Sequence, residues 1–248
     1  MKILITGAGG FIGKNLVAEL NNQGYKEIFL CTRHTPEEEF LEYVSNCDFV
    51  IHLAGENRPQ EPTDFRKGNV DFTEYLVKEL EKNHNYVPIL LSSSIQATQE
   101  NLYGKSKKEA ECIIREYGNK HQVEVMIYRL PNVFGKWGRP NYNSVVATFC
   151  YNISRNLEVR IDNRENVIQL VYIDDVISEF IKSVEGVGKL QAGFYVIPTS
   201  YNVSVGEIVD TIYSFKESRS NLLVPNIDRK STRLNSSHSR ASRMPSSA

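Results

Sequence analysis

The chain has 248 residues, 41% hydrophobic and 24% charged, which suits an α/β domain with a sizeable core. That balance excludes a chain disordered throughout, a collagen-like repeat and a disulfide-stapled miniprotein. Apolar runs reach about five residues against the ~20 of a membrane helix, no charged-then-apolar leader precedes the first strand, and Cys31, Cys47, Cys112 and Cys150 form no zinc-ligand pattern, so a cytoplasmic chain with reduced thiols and no metal is expected.

Residues 1–6 (with KILIT) form a short apolar strand that breaks into glycines, and residues 11–20 take helical spacing. Residues 27–31 read as a second strand. Thr35-Pro36 before three glutamates marks a helix start, with a capping residue, a proline in the first turn and acid at the positive end of the dipole. Buried strands are predicted at 48–53 (DFVIHL) and 86–92 (YVPILLS), with an amphipathic helix at 71–81 between them. A helix at 103–117 and a strand at 124–128 follow. Strands alternating with helices at this spacing predict a parallel, doubly wound sheet. Beyond Gly135 the pattern loosens: 143–152, 174–184 and 205–215 read as helical and 194–197 as extended, and this half is expected to form a smaller lobe over the carboxyl edge of the sheet. No internal repeat is present.

The charge is uneven. Residues 228–248 hold five of the 29 basic and one of the 30 acidic residues, so the tail carries +4 and the preceding body −5. Seven of those 21 residues are serine, and no apolar period survives. A disordered basic tail and a nucleic-acid or membrane arm are two readings. The third is favoured: DRKSTRLNSSH and SRMPSSA resemble, in order, the translated ends of a sequencing-library adapter. Residues 228–248 are therefore expected to be a non-native scar, with the natural chain continuing past Ile227.

Gly7, Gly10 and Gly13 follow the first strand and open the first helix. Such a turn lets backbone approach a pyrophosphate, and the helix amino terminus, with Phe11 and Ile12, adds N–H groups and positive potential. Many strand-to-helix turns use glycine for geometry alone, but the placement directly after KILIT points to a dinucleotide. At the end of the second strand an acid would accept the ribose hydroxyls of NAD, and Cys31-Thr32-Arg33-His34 contains none. Arg33 suits a 2′-phosphate, favouring NADP with NAD still possible; the alternative is a solvated surface arginine.

Tyr103-Gly104-Lys105-Ser106-Lys107 places Tyr103 and Lys107 on one helix face, four residues apart. Tyrosine, with a pKa near ~10, shuttles protons poorly at neutral pH, and a nearby ammonium is expected to lower it. The preceding serines, Ser92-Ser93-Ser94, offer a hydroxyl for a substrate oxygen.

Together these motifs resemble the extended short-chain dehydrogenase/reductases, over residues 1 to about 215. The spacing TGAGGFIG, then HLAG, Asn69, SSS, YGKSK, RLPNVFG and YIDD arrive in the family's order. The resemblance implies a Rossmann-like fold with Ser94, Tyr103 and Lys107 at the catalytic positions. It places Leu53, Ala54 and Gly55 on the nicotinamide side, makes Asn69 structural, and sets Pro131 and Asn132 between nicotinamide and sugar. His52 reads equally as a structural residue, and Asp174-Asp175 as a helix cap.

Three departures from the family are informative. Only 14 residues (34–47) separate the second strand from Asp48, too few for an extra strand and helix, so one sheet edge should be trimmed. The acid that contacts adenine cannot be assigned there. Ile95-Gln96 replaces the acidic pair of sugar dehydratases, which argues against dehydration.

A narrower resemblance joins LAGENRP, GNV, LLSSSIQATQ and NVFGKWGRPNYNSVVATFCYNI to the amino-terminal domain of CapF-type capsular polysaccharide synthesis enzymes. It implies an NADPH-dependent reductase of the 4-keto group of a UDP-linked 4-keto-6-deoxy-N-acetylhexosamine, with a separate zinc-holding cupin absent from this chain. Ser94 and Asn132 are then expected at the substrate, with Lys136, Trp137, Asn141, Tyr142 and Asn143. Trp137 reads equally as a hydrophobic plug of the small lobe. The expected division is 1–135 for the NADP-binding core, 136–227 for a region completing that core and forming the substrate lobe, and 228–248 for the scar. The expected assembly is a homodimer without nucleic-acid partners. The alternatives are a UDP-sugar 4-epimerase that retains NAD and a catalytically silent NADP-sensing module.

Overall fold

The computed structural model describes residues 1–59, 61 and 63–221; the tail at 228–248 lies outside the described residues. Ten strands and eight α-helices are described: β1 (Ile3–Thr6), α1 (Phe11–Asn22), β2 (Ile28–Cys31), α2 (Glu37–Asn46), β3 (Phe49–His52), α3 (Asp64–Arg66), α4 (Phe72–Lys82), β4 (Ile89–Ser94), α5 (Leu102–His121), β5 (Val125–Leu130), β6 (Asn132–Phe134), α6 (Val145–Ser154), β7 (Val167–Tyr172), α7 (Ile173–Val184), β8 (Leu190–Gln191), β9 (Phe194–Tyr195), β10 (Tyr201–Ser204) and α8 (Val205–Asn221). A π-turn (Lys67–Asp71) leads into α4, and a 3₁₀ turn (Ile95–Thr98) follows β4.

The described chain divides into two compact units, Met1–Leu130 with Ile177–Ile197, and Pro131–Val176 with the described residues from Pro198 on. The first holds a seven-stranded sheet in the order β2-β1-β3-β4-β5-β9-β8. Pairing is parallel from β2 through β9, and only the β8–β9 hairpin is antiparallel. Every residue of β1 (ILIT) and β3 (FVIH) is buried, as an apolar strand covered on both faces requires. The short 34–47 segment forms only α2, so β2 is the sheet edge, as its length demands. Phe40 and Val44 of α2, Leu76 and Leu80 of α4, and Ile114 and Tyr117 of α5 close one core over Leu4, Val50, Ile89 and Ile127. The second unit holds a three-stranded sheet, β10-β7-β6.

Several local expectations are corrected. The fourth strand begins at Ile89, not 86, because Pro88 has no N–H and both backbone groups of Val87 go to the Tyr117 hydroxyl, at 2.9 and 3.1 Å. It then runs through Ser94, paired to Leu130. Thr35 does not cap α2: Pro36 takes that position, and the Thr35 hydroxyl instead accepts the Thr32 N–H at 2.9 Å. The sequence reading does not predict the strands β6, β7 and β10.

Candidate active site

The turn from β1 into α1 is held by Gly7, whose φ of +71° lies in the left-handed region. A Cβ there would stand 2.7 Å from the Ala54 nitrogen and 2.8 Å from the Leu53 carbonyl carbon, so glycine alone lets this turn lie against the end of β3. The Gly10 N–H donates to the Gly7 carbonyl at 2.9 Å, and the helical ladder starts with Lys14 N–H to the Gly10 carbonyl at 3.0 Å. The amides of Phe11, Ile12 and Gly13 thus form the first turn of α1, ahead of that ladder, where an anionic group is favoured. These residues fit the pyrophosphate of a dinucleotide.

Beyond β3 the chain turns through Leu53, Ala54, Gly55 and Glu56. Asn69 fixes this turn: its Oδ1 accepts the Glu56 N–H at 3.0 Å, and its Nδ2 donates to the Glu56 carbonyl at 2.9 Å and the Ser106 hydroxyl at 3.0 Å. Ser106 in turn donates to the Tyr103 carbonyl at 2.8 Å, tying the turn to the first turns of α5. A Cβ on Gly55 would stand 2.6 Å from Asn69 Oδ1 and 2.9 Å from Lys107 Nζ.

Behind this turn runs a directional chain of buried hydrogen bonds. The Thr73 hydroxyl donates to the Asn69 carbonyl at 2.6 Å, so it accepts from His52 Nε2 at 2.9 Å. Nδ1 is then the acceptor, taking the Thr6 hydroxyl proton at 2.6 Å, while Thr6 Oγ1 accepts the Ala54 N–H at 3.2 Å. His52 is therefore a neutral Nε2–H imidazole. Burial first, and then the Lys107 charge, push its pKa down to about 3. Its two ring nitrogens are both occupied within this buried network.

The structure brings Ser94, Tyr103 and Lys107 together. Asn101 caps α5 by accepting the Gly104 N–H at 2.7 Å, which sets Tyr103 in the helix's first turn. Ser94 acts on the Tyr103 phenol from the end of β4, lowering its pKa in part, and the Tyr103 ring packs on Phe65, 5.7 Å between centroids. Lys107, 8% exposed, sends Nζ to the Ser92 carbonyl at 3.2 Å. One sequence expectation about charge needs correction. The Tyr103 pKa is raised, not lowered: burial pushes it up, and Ser94 offsets part of this. Lys107 itself is pulled down to about 8 by burial, with Glu111 opposing.

Arg33 is largely exposed, its guanidinium 4.0 Å from the Glu56 carboxylate. Pro131, Asn132, Lys136, Trp137, Asn141, Tyr142 and Asn143 belong to the second unit. There Asn132 donates to the Gln169 carbonyl at 3.2 Å, and Lys136 pairs with Asp174 at 2.7 Å. Asn141 N–H donates to Thr148, Asn143 accepts the Arg139 N–H, and the Tyr142 ring lies under the Arg139 guanidinium. Trp137 is 46% exposed and so is not a core plug. Sequence reading gives no role to Thr6, Phe65, Thr73, Ser106 or Glu111. Spacing held part of that signal, since Thr73 is four residues from Asn69 and Glu111 four from Lys107 on helical segments.

Among known proteins, the NAD dependent epimerase/dehydratase family matches residues 3–198, and the chain belongs to that family. It is 43% identical over 233 residues to a Pseudomonas aeruginosa protein named UDP-2-acetamido-2,6-beta-L-arabino-hexul-4-ose reductase, covering 94% of this chain and 62% of that one. The crystal structure of the capsular polysaccharide assembling protein CapF from Staphylococcus aureus superposes with a TM-score of 0.89 at 44% identity, covering 97% of this chain and 66% of that one. The chain therefore spans just under two thirds of the length of these two relatives. UDP-glucuronic acid 4-epimerase from Bacillus cereus, solved in complex with NAD, shares the fold with a TM-score of 0.81 at 17% identity, over 97% of this chain and 96% of that one. Among the described residues no helix is long and apolar enough to cross a membrane.

Proposed function

We propose that this chain is an NADPH-dependent reductase acting on the 4-keto group of a UDP-linked 4-keto-6-deoxy-N-acetylhexosamine, in the synthesis of a capsular or surface polysaccharide precursor. The single observation that carries the reading is the Ser94–Tyr103 pair with Lys107 one turn along α5. The 43% identity to a named 4-ulose reductase supports the substrate class.

Bound NADPH would supply the hydride that adds to carbon 4. Gly7, Gly10, Phe11, Ile12 and Gly13 would hold its pyrophosphate, Arg33 its 2′-phosphate, and Leu53, Ala54 and Gly55 with Pro131 the remainder. Tyr103 gives its phenolic proton to the ketone oxygen as the carbon–oxygen double bond opens, leaving an alcohol. Tyr103 carries its proton at neutral pH, as an acid in the direction of reduction must, while burial, by raising its pKa, makes it a weaker acid than a free phenol. Ser94 orients the oxygen. Lys107 supplies positive charge beside the cluster and binds the cofactor ribose. Asn132, Lys136, Trp137, Asn141, Tyr142 and Asn143 are proposed to contact the sugar nucleotide. We assign residues 1–135 to the NADP-binding core and 136–227 to the region that completes it and forms the substrate lobe, in a cytoplasmic homodimer.

The test is to incubate the purified chain with NADPH and the UDP-linked 4-keto sugar. Loss of NADPH absorbance, matched by a sugar product two hydrogens heavier, supports the reading. A sugar isomerised at carbon 4 with no NADPH consumed would replace it with epimerisation.

A further inference from the structure

The three serines that close β4 meet three residues of α5 spaced one turn apart. Ser94 acts on the Tyr103 phenol, the Ser92 carbonyl accepts from Lys107 Nζ at 3.2 Å, and the Ser93 hydroxyl donates to Glu111 Oε1 at 2.5 Å. The proposed reaction uses the first two partners but not Glu111. Yet Glu111 is a carboxylate only 3% exposed, an expensive group to bury. It is met from β5 by Arg129, whose Nε lies 2.9 and 3.2 Å from its two oxygens and whose Nη2 lies 2.6 Å from Oε2. The Arg129 guanidinium in turn lies 3.9 Å from the centroid of the Phe194 ring of β9. A buried ion pair is weak evidence for stability, since apolar residues of the same shape often serve as well. A structural staple alone therefore does not account for it.

We propose that Glu111 is a positioning residue for Lys107: its carboxylate keeps the lysine side chain charged and directed at the end of β4, and Arg129 sets how much of that negative charge Lys107 feels. The surroundings of Lys107 support this. From β3 comes His52, which is neutral; from the π-turn, the uncharged Asn69 amide; from β4, the Ser92 carbonyl; and one turn back on α5, Tyr103, neutral at the same pH. Arg129 of β5 is a cation. Among the described residues Glu111 is the carboxylate set one turn from Lys107 on α5, and its charge raises a pKa that burial lowers. With the carboxylate gone, burial and the unpaired Arg129 charge would both favour neutral lysine.

The inference rests on the reductase reading only in giving Lys107 a task, and its test does not need turnover. The Lys107 Nζ is titrated by ¹⁵N NMR in the full chain, its signal assigned by its loss in Lys107→Arg. In Glu111→Gln the midpoint should fall by about one pH unit, and in Arg129→Met, where Glu111 acts unopposed at the pH of lysine titration, it should rise. Glu111→Asp, which keeps the charge, should restore most of the wild-type midpoint. An unchanged midpoint in Glu111→Gln, or shifts of the same sign in both variants, would overturn the proposal. If Glu111→Gln does not fold by circular dichroism, the Arg129→Met shift decides alone: a rise supports the proposal and no rise ends it. Opposed shifts in a chain that reduces no keto sugar would remove the reductase reading and leave this one standing. Active enzyme with an unmoved lysine would do the reverse.

Discussion

One side-chain amide, that of Asn69, holds both backbone groups of Glu56, accepting its N–H at 3.0 Å and donating to its carbonyl at 2.9 Å. The contact fixes the Leu53–Glu56 turn in the way a neighbouring strand would, at a place where β3 has already ended. Asn69→Ala would strand two backbone groups in a part-buried setting and release Ser106. The loss should be about 1–3 kcal/mol of unfolding free energy in urea, with weaker NADPH binding by titration. Unchanged stability together with unchanged NADPH affinity would show that the turn holds itself.

Because the space Gly55 leaves is taken by Asn69 Oδ1 and Lys107 Nζ, adding one methyl group there reaches both. Gly55→Ala should lower kcat/KM at least tenfold while the chain stays folded, since both neighbours are side-chain ends able to move aside. Full activity in the alanine variant would mean that the placement of Lys107 is not critical.

His52 gives stability a pH dependence. Its pKa is about 3 in the folded chain, lowered by burial and then by Lys107, against an ordinary value near ~6.5 unfolded. Between those values the unfolded chain binds a proton that the folded chain does not. The stabilisation is therefore complete above pH ~6.5 and declines as pH falls, by roughly 1.4 kcal/mol per pH unit within the window. Comparing urea unfolding of wild type and His52→Gln from pH 7 to 5 isolates this slope from the carboxylates. Parallel slopes would contradict the neutral, buried imidazole.

Arg33 reaches no nearer than 4.0 Å to Glu56 and is mostly exposed, so a 2′-phosphate would meet little competition for it. Arg33→Asp should turn a preference for NADPH into one for NADH. A charge-assisted contact worth ~1.5–3 kcal/mol corresponds to a tenfold or larger change in the ratio of the two affinities. A ratio left unmoved by the substitution would place Arg33 outside the cofactor's reach.

Much of the first unit was legible because its strands are short apolar runs separated by glycine turns and amphipathic helices. The tyrosine–lysine pair was legible because helical spacing converts directly into proximity. Charge was not legible in the same way. Sequence spacing put Lys107 beside Tyr103 and implied a lowered phenol, whereas burial, a property of the whole fold, raises it. The tautomer of His52 likewise depends on Thr6 and Thr73, which lie 46 and 21 residues away in the chain. In the second unit the pairing of β6, β7 and β10 is decided by partners distant in sequence.

The central claim, that Tyr103 is the acid in ketone reduction at carbon 4, is tested most directly by isotope transfer in wild type and Tyr103→Phe. With NADPH carrying deuterium at its transferable position and the UDP-linked 4-keto sugar, wild type should place one deuterium on carbon 4 of the product. Tyr103→Phe, which keeps the ring packed on Phe65, should bind NADPH almost normally and transfer deuterium roughly 10²- to 10⁴-fold more slowly. Transfer at a near-normal rate in the variant, or a wild-type product without deuterium at carbon 4, would contradict it.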